Sequence, residues 1–197
     1  AAFGMGGAEA FAAGLYYLLH STLAAAAVFL LADVISKARG NVLDRLIPGP
    51  ELPRGQLLAG VFLVIALAIS GMPPLSGFVG KWLILQASIG EPGMPWVFAV
   101  LLVTSLLVIM TLARTGTMLF FKIEESATDG NQAGKPAREP VSILDLGAPL
   151  ALALIGIGLV VYAGPVYEFG QAAAEQLLQS EAYISAVLQA ATGGAQP

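Results

Sequence analysis

The chain has 197 residues, 57% of them hydrophobic and 11% charged, with a formal net charge of -4, a pI near 4.9 and a mean hydropathy of +0.80. That apolar content marks an integral membrane protein, and the acidic balance offers no basic surface for nucleic acid. With no cysteine and one histidine, disulfides, thiolate metal sites and cysteine nucleophiles are excluded, a protein-ligated zinc or haem lacks ligands, and no cofactor or metal is expected.

The opening Ala1-Ala2-Phe3-Gly4 has no methionine, and neither a basic n-region nor a small-residue cleavage site comes after it. The expectation is a portion of a longer chain. Hydropathy predicts an all-α membrane protein with four segments, at about 11–35, 57–88, 96–121 and 143–166, each near or above the roughly 20 residues needed to span a bilayer.

The first segment carries His20 within Tyr16-Tyr17-Leu18-Leu19-His20-Ser21-Thr22. An unperturbed imidazole titrates near pH 6.5, about right for a proton relay. The alternative is a neutral histidine tying two helices together through a hydrogen bond. Tyr16 and Tyr17, one turn earlier, are accessory candidates that can reach His20 directly or through a water. Asp33, near the end of the segment, has Lys37 four residues on. It reads as a simple ion pair, with a cytoplasmic proton exit as the alternative.

The second segment is too long for one straight helix: about 32 residues would measure roughly 48 Å against a hydrocarbon core of roughly 30 Å. Its middle reads Gly71-Met72-Pro73-Pro74-Leu75-Ser76-Gly77-Phe78-Val79-Gly80-Lys81. Pro73 and Pro74 lack amide donors and disfavour helix before them, while Gly71, Gly77 and Gly80 permit other backbone angles. Two half-helices joined by an unwound stretch near 71–77 are therefore predicted, with Ser76 inside it. Unwound backbone at membrane depth is tolerated when buried in protein or lining a hydrated cavity, the arrangement by which transporters build ion sites.

Lys81 lies in the first turns after the break. A mid-depth lysine is costly unless protein or water solvates it, so it is read as a functional, switchable charge rather than a snorkelling one. Burial disfavours its charged form, and the ends of the two half-helices act on it in opposite senses; their ranking is not legible in the sequence.

The third segment carries Arg114 on a stripe with Thr111 and Thr115. Guanidinium stays protonated, so Arg114 is read as an interfacial anchor, or else as a group tuning a neighbour. Residues 124–140 are polar and contain Gly and Pro, as in a cytoplasmic loop. Residues 168–190 place Phe169, Ala173, Leu177, Ile184 and Leu188 at helical spacing, predicting an amphipathic helix outside the bilayer or against a partner.

Lys37, Arg39, Arg45 and Arg54 lie between segments one and two, and Lys122, Lys135 and Arg138 between three and four; the connection 90–95 and the tail after Val166 have no Lys or Arg. By the positive-inside rule both basic loops are cytoplasmic and the C-terminus is not.

The stretches from Gly14 to Leu23, from Phe29 to Asp33 and from Gly71 to Lys81 resemble the antiporter-like subunits shared by Mrp-type cation/proton antiporters and respiratory complex I. The wording is most similar to the D-subunit family of bacterial Mrp (Pha, Mnh) antiporters, and the likeness covers essentially the whole chain. It implies the C-terminal portion of a roughly fourteen-helix subunit built from inverted repeats, each with a broken helix. Lys81 then matches the basic residue of the second broken helix, and His20 the histidine on the mid-membrane polar axis. One departure is Ala24, where some members carry a lysine. Partners would be the other antiporter subunits, the lipid bilayer, protons and Na+ or K+, in a bacterial cytoplasmic membrane.

The leading expectation is thus a transporter subunit, not itself an enzyme, relaying protons through His20 and Lys81 in exchange for Na+ or K+. The alternatives are a proton-pumping membrane subunit of a complex I-like NADH:quinone oxidoreductase, and a structural subunit whose polar groups only lock helices together.

Overall fold

The computed structural model describes residues 2–39, 52–121, 142 and 144–179. Among them there is no strand, and the fold is all-helical. After a 3-10 turn at Ala2–Gly4 come α1 (Ala8–Arg39), α2 (Gly55–Ser70), α3 (Ser76–Ala87), α4 (Met94–Gly116, ending in a π turn at Thr117–Phe121), α5 (Gly147–Val161) and α6 (Ala163–Leu178). The expected loop 124–140 and the part of the tail beyond 179 lie outside the described residues.

Among the described residues two helices, α1 and α4 with its π turn, are long and apolar enough to cross a membrane. The pair α5 and α6 passes the same test as one unit bent by 79°, and α2 is a shorter apolar helix. Helix α1 runs on to Arg39, so Lys37 and Arg39 form its last turn instead of lying in the connection. Cations there face the partial negative charge of the helix end.

Helix α1 is the central strut, packing against α2, α3, α5 and α6. One apolar cluster joins Ala27, Leu31, Val34 and Ile35 of α1 to Leu58, Val61 and Ile65 of α2. A second, near the start of α1, gathers Ala13, Ile84 of α3 and Val97 of α4, with Tyr167 of α6 against it. The outer face of α4 keeps Leu102, Val103, Leu106, Leu107 and Met110 more than half exposed, as suits a lipid-facing or partner-facing surface.

The interruption between α2 and α3 spans residues 71–75, shorter than the expected 71–77. Ser76 and Gly77 are the first residues of α3, because the steric exclusion from Pro74 acts on the residue before it and leaves the residues after it free to coil. The Pro73-Pro74 bond is cis.

The tail helix α6 packs on α1 by its small-residue face. Its buried residues are Gly170 and Ala174, whereas Phe169 and Leu177 are 77% and 67% exposed. Hydrophobic spacing picks out the bulkiest stripe, but close contact between helices selects the smallest residues. Gly170 indeed lies against the backbone of Ala12.

A broken-helix site around Lys81 and His20

The end of α2 is closed by Gly71, in the left-handed region at φ 77°. The Gly71 amide donates to the Ala68 carbonyl at 3.2 Å and the Met72 amide to the Leu67 carbonyl at 3.1 Å. This pair of reversed bonds is the Schellman cap, and it satisfies two of the four carbonyls a helix end leaves over. The other two belong to Ile69 and Ser70. Lys81 Nζ takes both, donating to Ser70 O at 2.7 Å and to Ile69 O at 3.5 Å, and its third bond goes to Ser105 Oγ of α4 at 2.8 Å.

Lys81 therefore completes the cap of the helix before the break. The negative end of the α2 dipole faces its ammonium, so of the two half-helix ends, α2 is the one in direct contact. Placing a lysine mid-span costs about 2.5–3.5 kcal/mol on insertion scales, and hydrogen bonds to charged groups contribute about 1.5–3 kcal/mol each. The two short bonds are of the size needed to offset the cost.

His20 sits at the other side of the break. It is 4% exposed, and its Nδ1 shares a 2.8 Å hydrogen bond with Ser76 Oγ, at the start of α3, in a direction set by the imidazole tautomer. Helix α3 reaches α1 this closely because its facing residues are glycines. A Cβ on Gly77 would lie 2.9 Å from His20 Nε2 and overlap the Ala68 carbonyl, and one on Gly80 would lie 2.9 Å from the Tyr17 ring. A cavity of about 20 Å³ adjoins His20, lined by Ala24, Ala27, Ala68, Ser76 and Gly156 among others. That is room for about one water.

The remaining expected residues divide. Tyr17 lies beside His20, ring centroids 5.8 Å apart. Tyr16 instead donates to the Leu159 carbonyl of α5 at 3.0 Å. Leu159 is in the last turn before the 79° bend, where helix carbonyls lack helical donors, so Tyr16 supports the bend. Ser21 and Thr22 both turn back onto the Leu18 carbonyl. Asp33 accepts from Lys37 at 2.7 Å, with both side chains more than half exposed. Arg114 is exposed, nine residues beyond Ser105 and so about 13 Å away along the helix. Among the described site residues, the structure thus gathers His20, Tyr17, Ser76, Gly77, Gly71 and Lys81, and leaves Asp33 and Arg114 apart.

Sequence reasoning misses two residues. Ser105 is one of two adjacent hydroxyl residues near the middle of α4, beside Thr104, and its position opposite the break is the signal that could find it. Arg39, read as a loop cation, is 3% exposed and lines a cavity of about 180 Å³ between α1, α2 and α4.

Comparison with known proteins places the chain in a family. Residues 1–110, which include His20, the break, Lys81 and Ser105, match the family described as NADH:quinone oxidoreductase/Mrp antiporter, TM. The chain is similar to the D subunit of the Na(+)/H(+) antiporter of Bacillus subtilis (strain 168), with 33% identity covering 89% of this chain and 34% of that protein. It is also similar to the D subunit of the probable K(+)/H(+) antiporter of Rhizobium meliloti (26% identity; 100% and 40% covered) and to the N subunit of the NADH-quinone oxidoreductase of Neisseria gonorrhoeae (33% identity; 78% and 31% covered). The chain thus spans roughly a third of the length of these relatives. Among solved structures, a chain of the Mrp complex from Dietzia sp. DQ12-45-1b superimposes with a TM-score of 0.71 at 23% identity, over 95% of this chain and 41% of that one, and shares its fold. With residues 1–110, more than half of the chain, matching its model, the chain belongs to the NADH:quinone oxidoreductase/Mrp antiporter transmembrane family.

Proposed function

We propose that this chain is part of the proton-translocating subunit of a multisubunit monovalent cation/proton antiporter in a bacterial cytoplasmic membrane, with Lys81 and His20 as its titrating groups. The observation that carries this reading is the Lys81 ammonium, held at a helix break by Ile69 O, Ser70 O and Ser105 Oγ. Mid-membrane cations are retained where a charge has to be moved or switched. His20 and Lys81 contact opposite ends of one five-residue interruption. The antiporter subunits among its relatives suggest Na+ or K+ as the exchanged ion and further subunits as partners.

The test is Lys81→Ala and Lys81→Arg in the complete complex, with cation-dependent proton exchange followed in vesicles and assembly checked. Both variants are expected to assemble and to lose most of their exchange, since alanine has no titrating group and a guanidinium keeps the charge but does not release a proton. Near-native exchange in Lys81→Arg would show that a fixed charge suffices. The similarity to the N subunit of NADH-quinone oxidoreductase supports a second reading, a proton-pumping subunit of a redox enzyme. Co-purification with flavin and iron–sulfur subunits would select it.

A further inference from the structure

Resting on that reading, we infer that Ser105 is the relay through which Lys81 gives up and regains its proton. Lys81 has three N–H bonds and three acceptors: Ser70 O at 2.7 Å, Ile69 O at 3.5 Å and Ser105 Oγ at 2.8 Å. The two carbonyls are backbone groups that accept only. A proton directed at either has nowhere to go, and neither can serve the lone pair of a neutral amine.

Ser105 differs on both counts, because a hydroxyl donates as well as accepts. Its hydrogen is directed at the Leu101 carbonyl of its own helix, 2.6 Å away, which leaves a lone pair facing the ammonium. After deprotonation the hydroxyl hydrogen faces the Nζ lone pair, while the two remaining N–H bonds keep the carbonyls of α2. Both protonation states are then fully hydrogen-bonded with little motion. Ser105 and Lys81 are each half-buried, with part of their surface open.

The transfer balances with one water as the acceptor. The Ser105 hydroxyl first turns its hydrogen from Leu101 O to a water at its open surface; an Nζ–H bond then breaks and its hydrogen bonds to Ser105 Oγ, while the original Oγ–H bond breaks and its hydrogen passes to that water. Lysine ammonium and water become lysine amine and hydronium, with the serine unchanged. Return of the proton is the reverse. His20 has a matching arrangement, its Nδ1 paired with the Ser76 hydroxyl at 2.8 Å, so each titrating group keeps one partner able to reverse its role.

The test compares Ser105→Thr with Ser105→Val in the complete complex, since these two side chains have nearly the same shape and differ in the hydroxyl. With assembly equal, exchange in Ser105→Thr is expected to exceed that in Ser105→Val by about a hundredfold or more, at the low end of what positioned proton transfer contributes. The cation concentration for half-maximal exchange is expected to be the same in both. Equal rates in the two variants, or a difference confined to that half-maximal concentration, would overturn the relay. Lys81→Ala in parallel separates the two claims: if it exchanges normally, the role of Lys81 itself is lost, whereas inactive Lys81→Ala with equal Ser105→Thr and Ser105→Val leaves Lys81 standing and removes only Ser105.

Discussion

Gly71 leaves open the space that Lys81 occupies: a Cβ at Gly71 would lie 2.8 Å from both Lys81 Cδ and Nζ. The same glycine holds the φ of 77° that closes α2. One position thus terminates a helix and admits the side chain that completes its cap.

Gly71→Ala should therefore fail twice. The left-handed backbone costs a non-glycine residue about 1–2 kcal/mol, and the new methyl displaces the Lys81 side chain. We expect a lower thermal midpoint for the complex and a large loss of exchange in vesicles. Unchanged exchange would mean that the Lys81 position is not critical.

Tyr16→Phe tests a structural role. The hydroxyl satisfies the Leu159 carbonyl at the bend, and leaving a buried acceptor unpaired costs about 1–3 kcal/mol. Stability should fall by that order while exchange per assembled complex stays within about twofold, since the phenol is directed at backbone and not at His20. Loss of exchange with unchanged stability would restore Tyr16 as an accessory to the His20 step.

His20→Gln separates relay from tie. Glutamine can still hydrogen-bond toward Ser76 but does not titrate. If His20 relays protons, exchange falls by about two orders of magnitude or more with assembly intact. Retention of near-native exchange would reduce His20 to a link between α1 and α3. His20→Ala is expected to be more damaging than His20→Lys, which supplies a titratable group at a different pKa.

Orientation is open to chemical labelling. The short connection between α3 and α4 lacks cations, and the segment preceding α5 comes after a basic stretch. Glu91→Cys and Ser142→Cys, both at exposed positions, should react with an impermeant thiol reagent from opposite sides, Glu91→Cys from outside. Reaction from one side would reverse the assignment.

The break and its lysine are legible because prolines and charges in apolar runs are conspicuous: Pro73, Pro74 and Lys81 declare themselves. The partners of Lys81 are not. Ile69 and Ser70 contribute only their carbonyls, which every residue has, and their availability depends on a cap that is visible only once Gly71 is seen in the left-handed region. Ser105 is 24 residues from Lys81 in sequence. Nothing in its local pattern distinguishes it from Thr104 and Thr111, which hydrogen-bond to their own helix. Helical spacing puts Tyr16 near His20, but spacing reports on which face a residue lies and not on where a long side chain ends.

The interruption between α2 and α3 is touched at both ends by a group that can carry a proton, Lys81 on the Ser70 side and His20 on the Ser76 side. A change in the width or angle of that gap alters both hydrogen bonds at once. If a proton at one group shifts the gap, thermodynamic linkage requires that a proton at the other be bound more or less tightly by the same free energy in return. Five residues of uncoiled backbone would then act as a two-way coupling element, and stiffening or loosening them would change how strongly the two sites sense each other without altering either site.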